Sequence, residues 1–126
     1  IEARFTGLEP AIPDELRTAV DSLADRFFAS ELGGLAREAD FLRSEYGFLT
    51  RYEALSPTAL VSGQIDLVFR SKGRLFVVDY KTDRDEDPAI HADQLAVYRK
   101  AVRDLFASEP ETWLFYLRSG RAIRVG

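Results

Sequence analysis

The chain has 126 residues, 46% of them apolar, with a formal charge of −4, one His and no Cys. That is enough for a single domain with a real core. It excludes disulfides, thiolate zinc sites and iron–sulfur clusters, and it leaves almost nothing for a histidine zinc site or a Ser–His triad. The balance of charge argues against a general basic coat, though not against a local basic groove. No apolar run is long enough to span a membrane and no signal-peptide pattern is present, so the expected setting is a reducing, cytoplasmic one. The start at Ile1 and the complete lack of Met read as a piece of something longer.

In chain order, residues 1–12 carry no pattern. From Pro13 a helix is expected, with Asp14 and Glu15 in its first turn and Leu16, Val20, Leu23, Phe27 and Phe28 at helical spacing. Residues 31–34 should break it, and a short helix is expected to run through Ala39 and Phe41. Residues 46–55 read as a strand, closed by the Ser56-Pro57 turn signal. Residues 59–70 read as a second strand and 75–81 as a third. The SKGR stretch between them should make a tight hairpin turn around Gly73. A polar loop ends at Pro88. Ile90, Leu95, Tyr98, Val102 and Leu105 then mark a long amphipathic helix, and two further strands flank Ser119-Gly120. The expectation is an α/β domain: a mixed central sheet of about five strands flanked by helices.

Two acids in this pattern are out of place. Asp79 ends an apolar strand run, LFVV, and in a strand it shares a face with Lys81, Val77 and Leu75, while Val78 and Tyr80 face the other way. Asp66 interrupts GQIDLVF, and alternation puts it with Gln64 and Val68, with Ile65 and Leu67 facing away. An acid in so apolar a strand is costly unless it is paired, hydrogen-bonded or metal-bound. A hairpin can bring both carboxylates to one end of the sheet. There they would repel, and their pKa values would rise, unless a cation lies between them. The plain alternative is a strand end with an ion pair. Oxygen-only ligation would suit Mg²⁺ or Mn²⁺, with Lys81 beside the metal to stabilise charge on a phosphate.

These stretches resemble the PD-(D/E)XK nuclease superfamily, and more narrowly the RecB/AddA-type nuclease domain of helicase–nucleases. The matching motifs are Gly63-Gln64-Ile65-Asp66-Leu67, Asp79-Tyr80-Lys81-Thr82, and Gln94 with Tyr98 in a Gln-x-x-x-Tyr helix. Asp-x-Lys alone is weak, but the ordered set at these spacings is specific, and it covers residues 45–117. The resemblance implies a restriction-endonuclease-like core. It implies that Asp66 and Asp79 are metal ligands, that the Tyr80 backbone carbonyl is a third, and that Lys81 is the catalytic lysine. It places a Glu on the preceding strand, for which Glu45 is the candidate, as a catalytic residue and a further ligand. Gln94 would brace the site or contact DNA, and Tyr98 is either the same or simply core. His91 stands where the family often has Tyr and reads as a helix-start contact. The family's upstream His has no counterpart here: either the N-terminal part of the domain that carries it lies outside this chain, or this member lacks that residue.

What the resemblance implies about function is a Mg²⁺-dependent deoxyribonuclease, with Mn²⁺ as a substitute and no iron–sulfur cluster. DNA, fed single-stranded by a helicase domain of the same parent chain, is the implied substrate. A second helicase–nuclease subunit is an implied partner, and DNA end processing in recombination and repair the implied role. The rival reading is a catalytically inactive nuclease-fold module that binds DNA or a partner. A phosphate enzyme of another kind lacks its Gly-rich loop. DNA contact would need a local patch, for which Arg99, Lys100 and Arg103, or Arg118, Arg121 and Arg124, are the available clusters.

Overall fold

A computed structural model describes residues 2–6 and 25–126, with side chains from residue 25 onward. It contains six strands: β1 (Glu2–Thr6), β2 (Phe41–Arg51), β3 (Leu60–Ser71), β4 (Arg74–Lys81), β5 (Glu111–Tyr116) and β6 (Arg121–Arg124). Two α-helices, α1 (Glu31–Arg37) and α2 (Ala92–Phe106), and a 3₁₀ turn (Pro88–His91) complete the elements, and residues 25–29 are also helical. All six strands join one mixed sheet. The helix expected from Pro13 lies largely outside the described residues. No helix among them is long and apolar enough to cross a membrane.

β4 is the central strand. It pairs antiparallel with β3 from Leu67↔Val78 to Ser71↔Arg74, and parallel with β5 from Phe76↔Glu111 to Lys81↔Tyr116. A strand flanked on both edges and covered on both faces must be apolar throughout, hence its unbroken LFVV. The hairpin between β3 and β4 turns on Lys72 and Gly73, both at positive φ (54° and 77°), the left-handed pair that a two-residue turn requires. α2 is the crossover between the parallel strands β4 and β5.

The two faces of the sheet carry separate cores. Val77, Leu114 and Tyr116 pack under α2 through Leu95, Tyr98, Ala101 and Val102. Phe69, Phe76, Val78 and Phe115 pack against the other layer through Phe27, Leu32 and Ala36. Each fully buried Leu, Phe or Val contributes about 1.5–3 kcal/mol. β4 obeys strict alternation: Leu75 and Val77 face α2, and Val78 and Tyr80 face α1. β3 does not. Leu67 faces away as expected, but Ile65 joins Val68 in the α2-side core, three residues apart, so the strand changes face at Asp66.

Three expected boundaries are corrected. Residues 31–34 open α1 rather than break a helix; the break is at Ser30, whose Oγ accepts from the Gly33 N–H as the N-cap. α1 ends at Arg37, so Phe41 begins a strand instead of closing a helix. β2 therefore starts five residues earlier than its aromatic pattern suggests, because its exposed first half is held by ladder bonds to the far end of β3, Phe41↔Arg70. The sixth strand, β1, comes from the patternless first residues and pairs in parallel with 60–64 of β3.

Candidate active site

The site forms where one ladder stops. β3 is paired with β2 along one edge. Along its other edge it pairs with β1 as far as Gln64 and with β4 from Leu67. The next step in the β4 register would set Asp66 opposite Asp79, and there the two strands part. Beyond Val78, β4 keeps only its β5 partner. The N–H of Tyr80, freed from the ladder on that side, donates instead to Asp66 Oδ2 at 2.7 Å. The departure from pairing is thus what turns two strand carboxylates toward one another.

Asp79 is fully buried, and neither of its carboxylate oxygens has a hydrogen-bond partner. Lys81 Nζ lies 2.9 Å from Asp79 Oδ2 as an ion pair, without the alignment of a hydrogen bond, and donates to Gln94 Oε1 at 3.0 Å. Burial, and then the negative charge of Asp79, push the Asp66 carboxyl up to about 9, against the lowering pull of the Tyr80 N–H and Lys81. Burial raises Asp79 too, opposed by Asp66, Lys81 and the charge of His91. Two carboxyls raised in this way hold a proton more readily than exposed carboxylates do. A divalent cation would take that proton's place and let both ionise. The donors are oxygens only, and the buried Asp79 carboxylate has no hydrogen-bond donor on either oxygen beside its ion pair with Lys81, which fits a hard cation such as Mg²⁺ or Mn²⁺.

The remaining expected residues divide. Gln94 and Tyr98 sit one turn apart on α2. Tyr98 is buried, its hydroxyl donates to the Gln64 carbonyl at 3.2 Å, and its ring meets Phe48 edge-on at 5.5 Å, so it ties α2 to β3 two residues before Asp66. The Tyr80 ring packs on Phe27 in the other core, leaving only its backbone on the site. Glu45 falls opposite Asp66 in the β2 register, between Ser44↔Leu67 and Tyr46↔Ile65, at a positive φ of 51°. Its carbonyl accepts from Gln64 Nε2 at 3.2 Å, but its side chain is exposed and stands apart from the two aspartates. Among the described residues no three His, Cys, Asp or Glu side chains are grouped to hold a metal.

Both basic clusters are engaged internally. Arg99 donates to Thr112 Oγ1 and the Val125 carbonyl, at 2.9 and 2.8 Å. Lys100 pairs with Asp104 at 2.6 Å, and Arg103 lies 3.8 Å from Glu109. Arg118 donates to the Thr82 carbonyl, while Arg121 and Arg124 lie 3.6 and 3.7 Å from Glu86 and Glu111. His91 does not cap α2 with its side chain. Its Nε2 lies 2.6 Å from Asp83 Oδ2. Asp83 escaped the sequence reading as one acid of a polar loop. The available signal was its place two residues past Lys81, in the loop that leads to the only imidazole.

The chain thus combines a mixed sheet covered by helices on both faces with a buried acid pair and a lysine at the open end of a β-hairpin. The profile of the PD-(D/E)XK nuclease superfamily matches residues 3–124, and the chain belongs to that superfamily. It is 34% identical over 98 residues to an ATP-dependent helicase/nuclease subunit from Anoxybacillus flavithermus, covering 71% of this chain and 8% of that protein. It is 28% identical over 116 residues to the protein of the same name from Bacillus pumilus, covering 75% and 9%. The chain therefore spans about a tenth of the length of these relatives. A crystal structure of a protein assigned as an exonuclease from Eubacterium rectale superposes with a TM-score of 0.56 at 12% identity, over 94% of this chain and 48% of that one. The fold is the restriction-endonuclease-like α/β core that the motifs implied.

Proposed function

We propose that this chain is the nuclease module of a longer helicase–nuclease, and that it hydrolyses DNA phosphodiester bonds with Mg²⁺ or Mn²⁺. Its substrate would be DNA delivered single-stranded by the parent's motor, in the processing of DNA ends for recombination and repair. The observation that carries this reading is the buried Asp66–Asp79 pair with Lys81 Nζ 2.9 Å from Asp79. The superfamily match and the names of the helicase/nuclease relatives support it.

Asp66, Asp79 and the Tyr80 carbonyl would hold the cation, with Glu45 as a further ligand if its side chain turns inward. When bound, the metal supplies Lewis-acid polarisation of the scissile phosphate and acidifies the attacking water. Asp79 fixes the Lys81 ammonium by charge, and Gln94 fixes it by a hydrogen bond. The ammonium so held stabilises the negative charge that develops on the phosphate. A water oxygen bonds to phosphorus, the bond to the 3′-oxygen breaks, and that oxygen leaves with a proton. Tyr98, being buried, supports β3 beneath the site.

The test is cleavage of single-stranded DNA by the full-length protein in Mg²⁺ or Mn²⁺. Asp79→Ala should abolish cleavage, and added Mn²⁺ should not restore it. Lys81→Ala should cripple cleavage while leaving metal affinity in place, because ammonium is not a ligand. A wild-type protein that binds DNA but leaves it intact in both metals would favour the binding-module reading.

A further inference from the structure

The only imidazole of the chain sits at the junction that aligns the lysine. His91 closes the Pro88–His91 turn and is the residue on which α2 begins, so its place sets the first turn of that helix. Gln94 lies in this first turn and accepts from Lys81 Nζ at 3.0 Å. Residues 82–91 form the only covalent route from Lys81 to α2, and they are a polar loop ending in a short turn. Untied, such a loop lets the helix start shift relative to the end of β4. The tie is the 2.6 Å contact between His91 Nε2 and Asp83 Oδ2. It is largely shielded from water, with side-chain exposures of 13% for His91 and 31% for Asp83. Asp87 stiffens the same loop, its Oδ1 accepting from the Ala89 N–H at 3.1 Å. The tie spans a short distance across the loop: Asp83 lies two residues after Lys81, and His91 three before Gln94.

We propose that Asp83 and His91 form a positioning clasp, which locks the start of α2 against the end of β4 so that Gln94 holds the Lys81 ammonium over Asp79. The inference rests on the reading of Lys81 as the catalytic lysine. Both clasp residues act through it. Misplacing a catalytic group by about 1 Å costs about a hundredfold in rate, so a loosened clasp should appear in the chemical step. It should not appear in DNA affinity, because neither residue is required to meet the strand, nor in metal affinity, because both aspartates of the pair are untouched.

The experiment compares His91→Ala, His91→Gln, Asp83→Ala and Gln94→Ala, and the double variant His91→Ala/Gln94→Ala, in the full-length protein. Single-turnover cleavage at saturating DNA and Mn²⁺ should slow about ten- to hundredfold in His91→Ala and Asp83→Ala. KM for DNA and the Kd for Mn²⁺ should stay within about twofold. His91→Gln, which can still donate to Asp83, should recover part of the rate. The double variant should be no slower than its slower parent, because both losses pass through Lys81. Amide hydrogen exchange over residues 82–95 should quicken in His91→Ala. A full-rate His91→Ala, a loss confined to KM, or multiplying losses in the double variant would each overturn the clasp. Unchanged exchange would overturn it whatever the activity. A wild-type protein that cleaves no DNA, with faster exchange in His91→Ala, would sink the nuclease reading and leave the clasp standing as a structural tie only.

Discussion

Metal-free stability should fall as pH rises, because burial raises both carboxyls of the Asp66–Asp79 pair. The Asp66 carboxyl is held up to about 9 in the folded chain, against about 3.9 when unfolded. Between these values the folded state binds a proton that the unfolded state has released. Stability is therefore fully present below about pH 4 and declines toward pH 9, by about 1.4 kcal/mol per pH unit. From pH 6 to pH 8 the loss should be about 3 kcal/mol. At about 2.1 cal/mol/K per residue, a chain of 126 residues unfolds with an entropy near 0.26 kcal/mol/K, so Tm should drop by about 10 °C over that interval. The assay is thermal unfolding in chelator at both pH values, for the wild type and Asp66→Asn. Asparagine keeps the shape and still accepts from the Tyr80 N–H, but it carries no titrating proton. The variant should lose most of the pH slope. Saturating Mn²⁺ should also flatten the wild-type slope and release about one proton per ion bound near pH 7.5. Equal slopes in the wild type and Asp66→Asn would refute the raised Asp66 carboxyl.

Two further substitutions test the scaffold. A Cβ at Gly33 would lie 1.9 Å from the Phe27 carbonyl oxygen, whereas one at Gly34 meets nothing within 4 Å; Gly33→Ala should cost about 2–3 kcal/mol in urea denaturation, and Gly34→Ala should instead add up to about 1 kcal/mol through helix propensity. Tyr98→Phe leaves the Gln64 carbonyl without its hydroxyl donor and should cost about 1 kcal/mol by the same measurement, with a reduced cleavage rate from the loosened contact between α2 and β3.

Much of the arrangement around the acids is written locally. Alternation in LFVVDYK put Asp79 and Lys81 on one face, and the folded chain keeps them there, 2.9 Å apart. The SKGR stretch contains the only residue type that readily takes the left-handed turn, so the β3–β4 hairpin followed, and with it the neighbourhood of Asp66 and Asp79. The spacing of Gln94 and Tyr98 placed them on one side of α2. These features depend on periods of 2 and 3.6 and on turn chemistry, which act over a few residues. Other features come from partners distant in the chain. β1 and the first half of β2 are strands because β3 offers them ladder bonds, and their own side chains carry no strand pattern. Ile65 leaves its expected face because β3 turns over at the point where β4 parts from it. Glu45, opposite Asp66 in register, is turned outward by a left-handed backbone that no residue near it announces. The contact of Asp83 with His91 joins two ends of a polar loop, and it exists because the β4–α2 crossover brings those ends together. Local chemistry thus determined which groups the chain presents; tertiary pairing decided how far apart they stand, because hydrogen-bond ladders and packing between remote segments set those distances and leave no periodic mark in the sequence.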